Sequence, residues 1–139
     1  MESNGEQRRI RFDELELERQ ADSECQARVV LAWQKGEEFT GESRGVHSET
    51  GVLRCAAEAA AHALELAVGR RVLLEVLGVR TIKAFDAIIV VVALASRVSD
   101  HRQRIVGSAI IHDDPARAAV HAVLSATNRL LGDNLIYLR

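Results

Sequence analysis

The sequence predicts an α+β domain in the order β-β-α-β-β-β-α, with two alanine-rich helices on one face of a mainly antiparallel sheet. Two stretches, 52–68 and 115–131, are almost wholly Ala, Val and Leu, broken by polar residues three or four positions apart. Short runs rich in Val and Ile stand before each of them, separated by Gly, Asp and Ser. Apolar residues make up 47% of the 139 but aromatic residues only 4%, so the core must be built from small side chains that let backbones approach closely. A chain of this length buries a core without help from metal or disulfide.

Residues 1–26 carry eight acidic and four basic side chains and are read as a charged, flexible arm. Within it, "IRFDELEL" has apolar residues at 10, 12, 15 and 17, a strand period that slips halfway. The domain proper is expected over 27–139. "ARVVLAW" (27–33) is a strand, "QKGE" (34–37) a turn, in which Lys35 and Gly36 have no phosphate-loop pattern around them, and "EFTGES" (38–43) the returning strand. "RGVHSET" is a loop, and a helix follows from Val52 to Val68 with Gly69 at its C-terminal stop. "RVLLEVLGVRTIKAF" is extended, with Gly78 marking a bulge. "DAIIVVVALAS" (86–96) is apolar on both faces, as a central strand is, and "RIVGSAII" (104–111) is the last strand. Asp114 then caps a helix that has Pro115 at its first position and ends at Gly132.

The polar residues of the first helix are Arg54, Glu58, His62 and Glu65; those of the second are Arg117, His121, Ser125 and Asn128. Every step has the same offset of 63, which also carries Gly69 onto Gly132. Each helix therefore has one narrow wet stripe and is apolar elsewhere. The preceding segments echo each other as well, Gly41 with Gly107 and His47 with His112, a weak internal duplication. So much apolar helix surface leads to the expectation of a homodimer.

With "Val106-Gly107-Ser108-Ala109" ending a strand and "Ala126-Thr127-Asn128-Arg129-Leu130" ending a helix, residues 27–132 resemble the C-terminal regulatory, or dimerisation, domain of the 2-isopropylmalate synthase and homocitrate synthase family. The resemblance implies a pseudo-duplicated sheet-and-helix unit that dimerises and, in feedback-controlled members, binds an end-product amino acid. Two departures stand out. The first loop, "GVHSETG", lacks the family's Gly-Pro-acidic turn, and the catalytic barrel of the full enzymes is absent from this sequence.

No pair of the five histidines has HxH or HExxH spacing, and Cys25 and Cys55 are not spaced as a metal knuckle, so no metal or cofactor is expected. The thiols are expected to be reduced in a cytoplasmic protein, with Cys55 a small buried hydrophobe. His62 and His121 fall on the wet stripes. Asp113 and Asp114 are cap and loop, not a catalytic pair. A net charge of −2 and an acidic "HDDP" helix start exclude the basic grip that a double-stranded RNA-binding domain needs. No apolar run is long enough to cross a bilayer.

The reading is thus a non-catalytic, metabolite-sensing domain; the alternative is a protein-interaction module without a small ligand, docking through its alanine-rich faces or its arm. A small carboxylate, an amino or keto acid, is expected where glycine loops meet helix starts: Gly41, Gly45 and His47 in one half, Gly107, Ser108 and His112 in the other.

Overall fold

The computed structural model describes residues 10–33 and 36–132. Its elements run β1 (Arg11–Arg19), β2 (Glu24–Trp33), β3 (Glu37–Val46), α1 (Glu49–Ala67), β4 (Val72–Ala84), β5 (Ala87–Val98), β6 (His101–Ile110) and α2 (Pro115–Gly132). The chain is α+β, and a β-β-β-α unit occurs twice. Two expectations change. The strands form two antiparallel three-stranded meanders, β1-β2-β3 and β4-β5-β6, instead of one sheet. Residues 11–26, expected within a flexible arm, supply β1 and the start of β2. The remainder of the arm (1–9), part of the expected turn (34–35) and the tail (133–139) lie outside the described residues.

The slipped period of "IRFDELEL" is the trace of a β-bulge. Phe12 pairs with Leu31, Glu14 with Val30 and Leu15 with Val29, so one extra residue sits between Phe12 and Glu14. The bulge keeps Phe12, Leu15 and Leu17 on the inner face, opposite the buried Leu31, Val29 and Ala27. Glu14, Glu16 and Glu18 fall on the outer face, where Arg28 reaches Glu14 at 3.6 Å and Glu16 at 3.1 Å. These pairs are solvent-exposed and contribute little. The inward apolar residues are what hold β1 in place.

β4 stands where β1 does in the repeat, and it too is bulged, between Val76 and Gly78. Before the bulge the even residues Val72, Leu74 and Val76 face inward; after it Val79, Thr81 and Lys83 do, opposite Val92, Val90 and Ile88. Gly78 is the bulge glycine that the sequence marks.

Ser48 caps α1, its Oγ accepting from the Gly51 N–H at 3.0 Å, so this helix starts three residues earlier than expected. Asp114 caps α2 as expected, its carboxylate accepting from the Ala116 N–H at 3.0 Å. Gly69 follows α1 with φ of +67°, the left-handed stop that an L side chain resists.

The helices lie unusually close to their strands. A Cβ on Gly41 of β3 would strike the Ala59 carbonyl and the Ala63 N–H of α1. One on Gly107 of β6 would strike the Ala122 carbonyl and come within 2.7 Å of the Ala126 N–H. Ala122 and Ala126 are Ala59 and Ala63 displaced by the same 63 residues that relate the stripes. The duplication therefore extends from sequence to packing. Each helix also touches the other and the opposite sheet, so its alanines are buried within one chain. Among the described residues, the helix faces on which the expectation of a second subunit rested are covered within the chain. Part of the apolar exposure lies on the outer face of β4-β5-β6, where Leu73, Ile82, Val106 and Ile110 are 42–50% exposed.

Gly107→Val should force α2 off β6 and destabilise the protein by about 3 kcal/mol, lowering the thermal transition by on the order of 10 °C. Calorimetry of the variant, with Ser108→Val on the outward face as control, measures this; an unchanged transition would contradict the close contact.

Candidate functional site

The structure places the six residues expected around a ligand differently from that expectation. Gly41, Gly45 and Gly107 lie within strands, not loops, and Gly41 and Gly107 are covered by helix. Ser108 faces outward, on the side of β6 opposite to Gly107. Gly45 makes room for the Cys55 thiol, since a Cβ there would lie 2.7 Å from its Sγ. His47 and His112 do precede the helix starts, and both are exposed. The sequence pattern of glycine followed by helix was real, but its cause is helix-on-strand contact.

The polar stripes, read as solvated, are tethers in part. Along α1, Glu58 accepts from Ser43 Oγ of β3 at 2.8 Å, and His62 Nδ1 donates to the Glu42 carbonyl at 2.8 Å. On the other side Arg54 donates to the Val76 carbonyl of β4 at 3.0 Å, and the Glu65 carboxylate accepts from the Leu74 N–H at 2.7 Å. The stripe thus faces the seam between the edge strands of the two sheets. In α2 the matching residues turn to β1: Arg117 stacks 4.5 Å over the Phe12 ring, and His121 meets the same ring edge-on at 5.2 Å. Each helix ties its own unit to the first strand of the other.

Both helix starts open on one cleft of about 630 Å³. α1 contributes Glu49, Thr50, Val52 and Leu53; α2 contributes Pro115 and Ala116, with the cap residue Asp114. Thr81 and Lys83 of β4 line it as well, the apolar wall is completed by Val79, Ile88, Ile111 and Leu17, and Arg80 and Ile82, which alternate onto the outer face, border it. None of the six expected residues lines it, although His112 sits in the loop between two that do. Val79, Thr81 and Lys83 face the inner side only because of the bulge at Gly78. Without that parity change the cleft would lose its lysine.

The cleft combines two carboxylates, Glu49 and Asp114, with one inward-facing cation, Lys83, beside an aliphatic wall. The positive ends of two helix dipoles add to the cationic side. This is the electrostatic complement of a zwitterion with an apolar substituent. Among the described residues the lining holds no imidazole or thiol, and no three His, Cys, Asp or Glu side chains are grouped to hold a metal ion. Among them, too, no helix is long and apolar enough to cross a membrane. No family model matches the chain, and no curated protein matches it.

Burial, and secondarily the Arg117 charge, hold the His121 imidazole below its ordinary pKa. Folding therefore favours the neutral ring. The contribution is complete above the unfolded value of about 6.5 and is lost as pH falls through it towards the folded value. The thermal transition of the wild type should drop more between about pH 7.5 and 5.5 than that of His121→Gln. Parallel pH dependence in the two proteins would remove His121 as the cause.

Proposed function

We propose that the chain is a non-catalytic, cytoplasmic regulatory domain, a relative of the 2-isopropylmalate synthase regulatory domain, which homodimerises and binds a small amino acid. The cleft between the two helix starts carries the proposal. Its inward lysine and helix termini suit a carboxylate, its carboxylates suit an ammonium group, and its aliphatic wall suits a short branched side chain. A keto acid offers nothing to Glu49 and Asp114, so amino acids should bind ahead of the corresponding keto acids. The doubled β-β-β-α unit supports the kinship, because the resemblance implies a pseudo-duplicated sheet-and-helix domain.

Thermal shift with the aliphatic amino acids and branched-chain keto acids tests the ligand. At a hundredfold excess over the dissociation constant the fitting amino acid should add about 2.7 kcal/mol of stability. Lys83→Ala should weaken binding about tenfold or more while leaving the unliganded transition in place. No shift with any of these compounds would favour the interaction module.

That second reading has its own support in the outer face of β4-β5-β6, where Ile82 and Ile110 flank Ile89 and where Val106 stands beside Ala93. We assign self-association to this face. Val106→Asp should convert a dimer to a monomer in light scattering at tens of micromolar; a wild-type protein that is already monomeric there would count against the assignment.

A further inference from the structure

Cys25 lies near the start of β2 and Cys55 in the second turn of α1, and their Sγ atoms are 3.4 Å apart. Both thiols are free and both residues are 1% exposed. The contact follows from specific placements. Cys25 pairs across the sheet with Gly45, and the missing side chain at 45 leaves the volume that the Cys55 sulfur occupies. The two sulfurs face each other between helix and sheet. In sequence they are thirty residues apart, with a strand, a loop and a helical turn between them.

We propose that Cys25 and Cys55 are a redox modification site, closing to a reversible intramolecular disulfide when the protein meets a small-molecule disulfide such as oxidised glutathione. The sulfurs must approach by about 1.4 Å to reach a bond of about 2.05 Å, a distance that side-chain rotation and a small helix shift supply. One thiolate attacks the oxidant, forming a mixed disulfide and releasing one small thiol. The second cysteine loses its proton to solvent and attacks the first sulfur, expelling the other small thiol. Two cysteine thiols and one disulfide become one protein disulfide and two small thiols.

Cys25 is the first sulfur to react. It neighbours the β1–β2 turn, where Asp22 and Ser23 hold positive φ values of 63° and 61°, and local opening of that hairpin end would uncover it. Burial, followed by the hydrogen bond with Cys25, pushes the Cys55 thiol up to about 12, so it enters only in the second, intramolecular step, where proximity offsets its small thiolate fraction. Closure is therefore slow at neutral pH and faster as pH rises. The product staples α1 to the first sheet, one turn from the α1 residues that line the cleft.

The test incubates the protein with reduced and oxidised glutathione, once as the folded chain and once during refolding from urea, so that burial cannot conceal the bond. Thiols are then alkylated under denaturing conditions and counted by intact mass and peptide mapping. The expected product is a monomeric chain with no alkylatable thiol and a Cys25–Cys55 linked peptide. Its thermal transition should be raised, on the order of 10 °C, and dithiothreitol should restore the original value. Cys25→Ala and Cys55→Ala should each lack the linked peptide and the raised transition. Two alkylatable thiols in both arms, or oxidised products that are only intermolecular or mixed disulfides, would overturn the proposal.

Discussion

Two backbone positions without a side chain, Gly41 and Gly107, set the distance between each helix and its sheet. Because those α-carbons are bare, the alanine faces of α1 and α2 settle directly onto backbone, and no large side chain is needed to fill the gap. The low aromatic content follows from the same constraint. So does the contact between the helices, which must also run through alanine if both are to stay close to their sheets. A larger residue at either glycine would lift a helix, separate the pair and pull apart the helix starts that form the cleft.

How much of this the sequence displays depends on whether a feature is local. The Asp114 cap, the Gly69 stop, the Gly78 bulge and the repeat of 63 are legible because each is a short-range pattern of residue types; the Ser48 cap is hidden in a run of polar residues that reads as loop. β1 is obscured because its bulge shifts the apolar parity between Phe12 and Leu15, and because Glu14, Glu16 and Glu18 give it the composition of a solvated tail. The division into two sheets is not local at all: nothing in β3 or β4 says whether they pair across the intervening helix. The candidate site suffers from an ambiguity of glycine itself. A glycine that admits a ligand and one that admits a helix look alike in sequence, and Gly41 and Gly107 are of the second kind. The residues that do line the cleft give separate signals, a helix cap at Asp114 and a bulge at Gly78. Only the fold brings them together.

The bulges of β1 and β4 have different consequences although they are equivalent in the repeat. In β1 the parity change puts Leu15 and Leu17 inside and completes a hydrophobic face. In β4 it puts Lys83 inside, beside two carboxylates. The same backbone irregularity is structural in one unit and places a charge in the other. The stripes differ likewise. α1 reaches β4 through a hydrogen bond that Arg54 donates and one that Glu65 accepts, whereas α2 reaches β1 through a cation and an imidazole on the Phe12 ring. A doubled architecture has thus been specialised by changing side chains at matching positions.

Every strand in both meanders pairs only with its neighbour in sequence. Such pairings close short loops at small entropic cost, so each unit can form its hairpins and lay down its helix without waiting for the other. The joining of the two halves, alanine against alanine with Arg54 and Arg117 crossing the seam, then becomes the late, long-range event. During synthesis the first unit emerges while the strands that cover its helix from the other side are still unmade. Its bare alanine face is the surface at which a second nascent chain would compete with the proper partner, and the rate of making the second half sets how long that competition lasts.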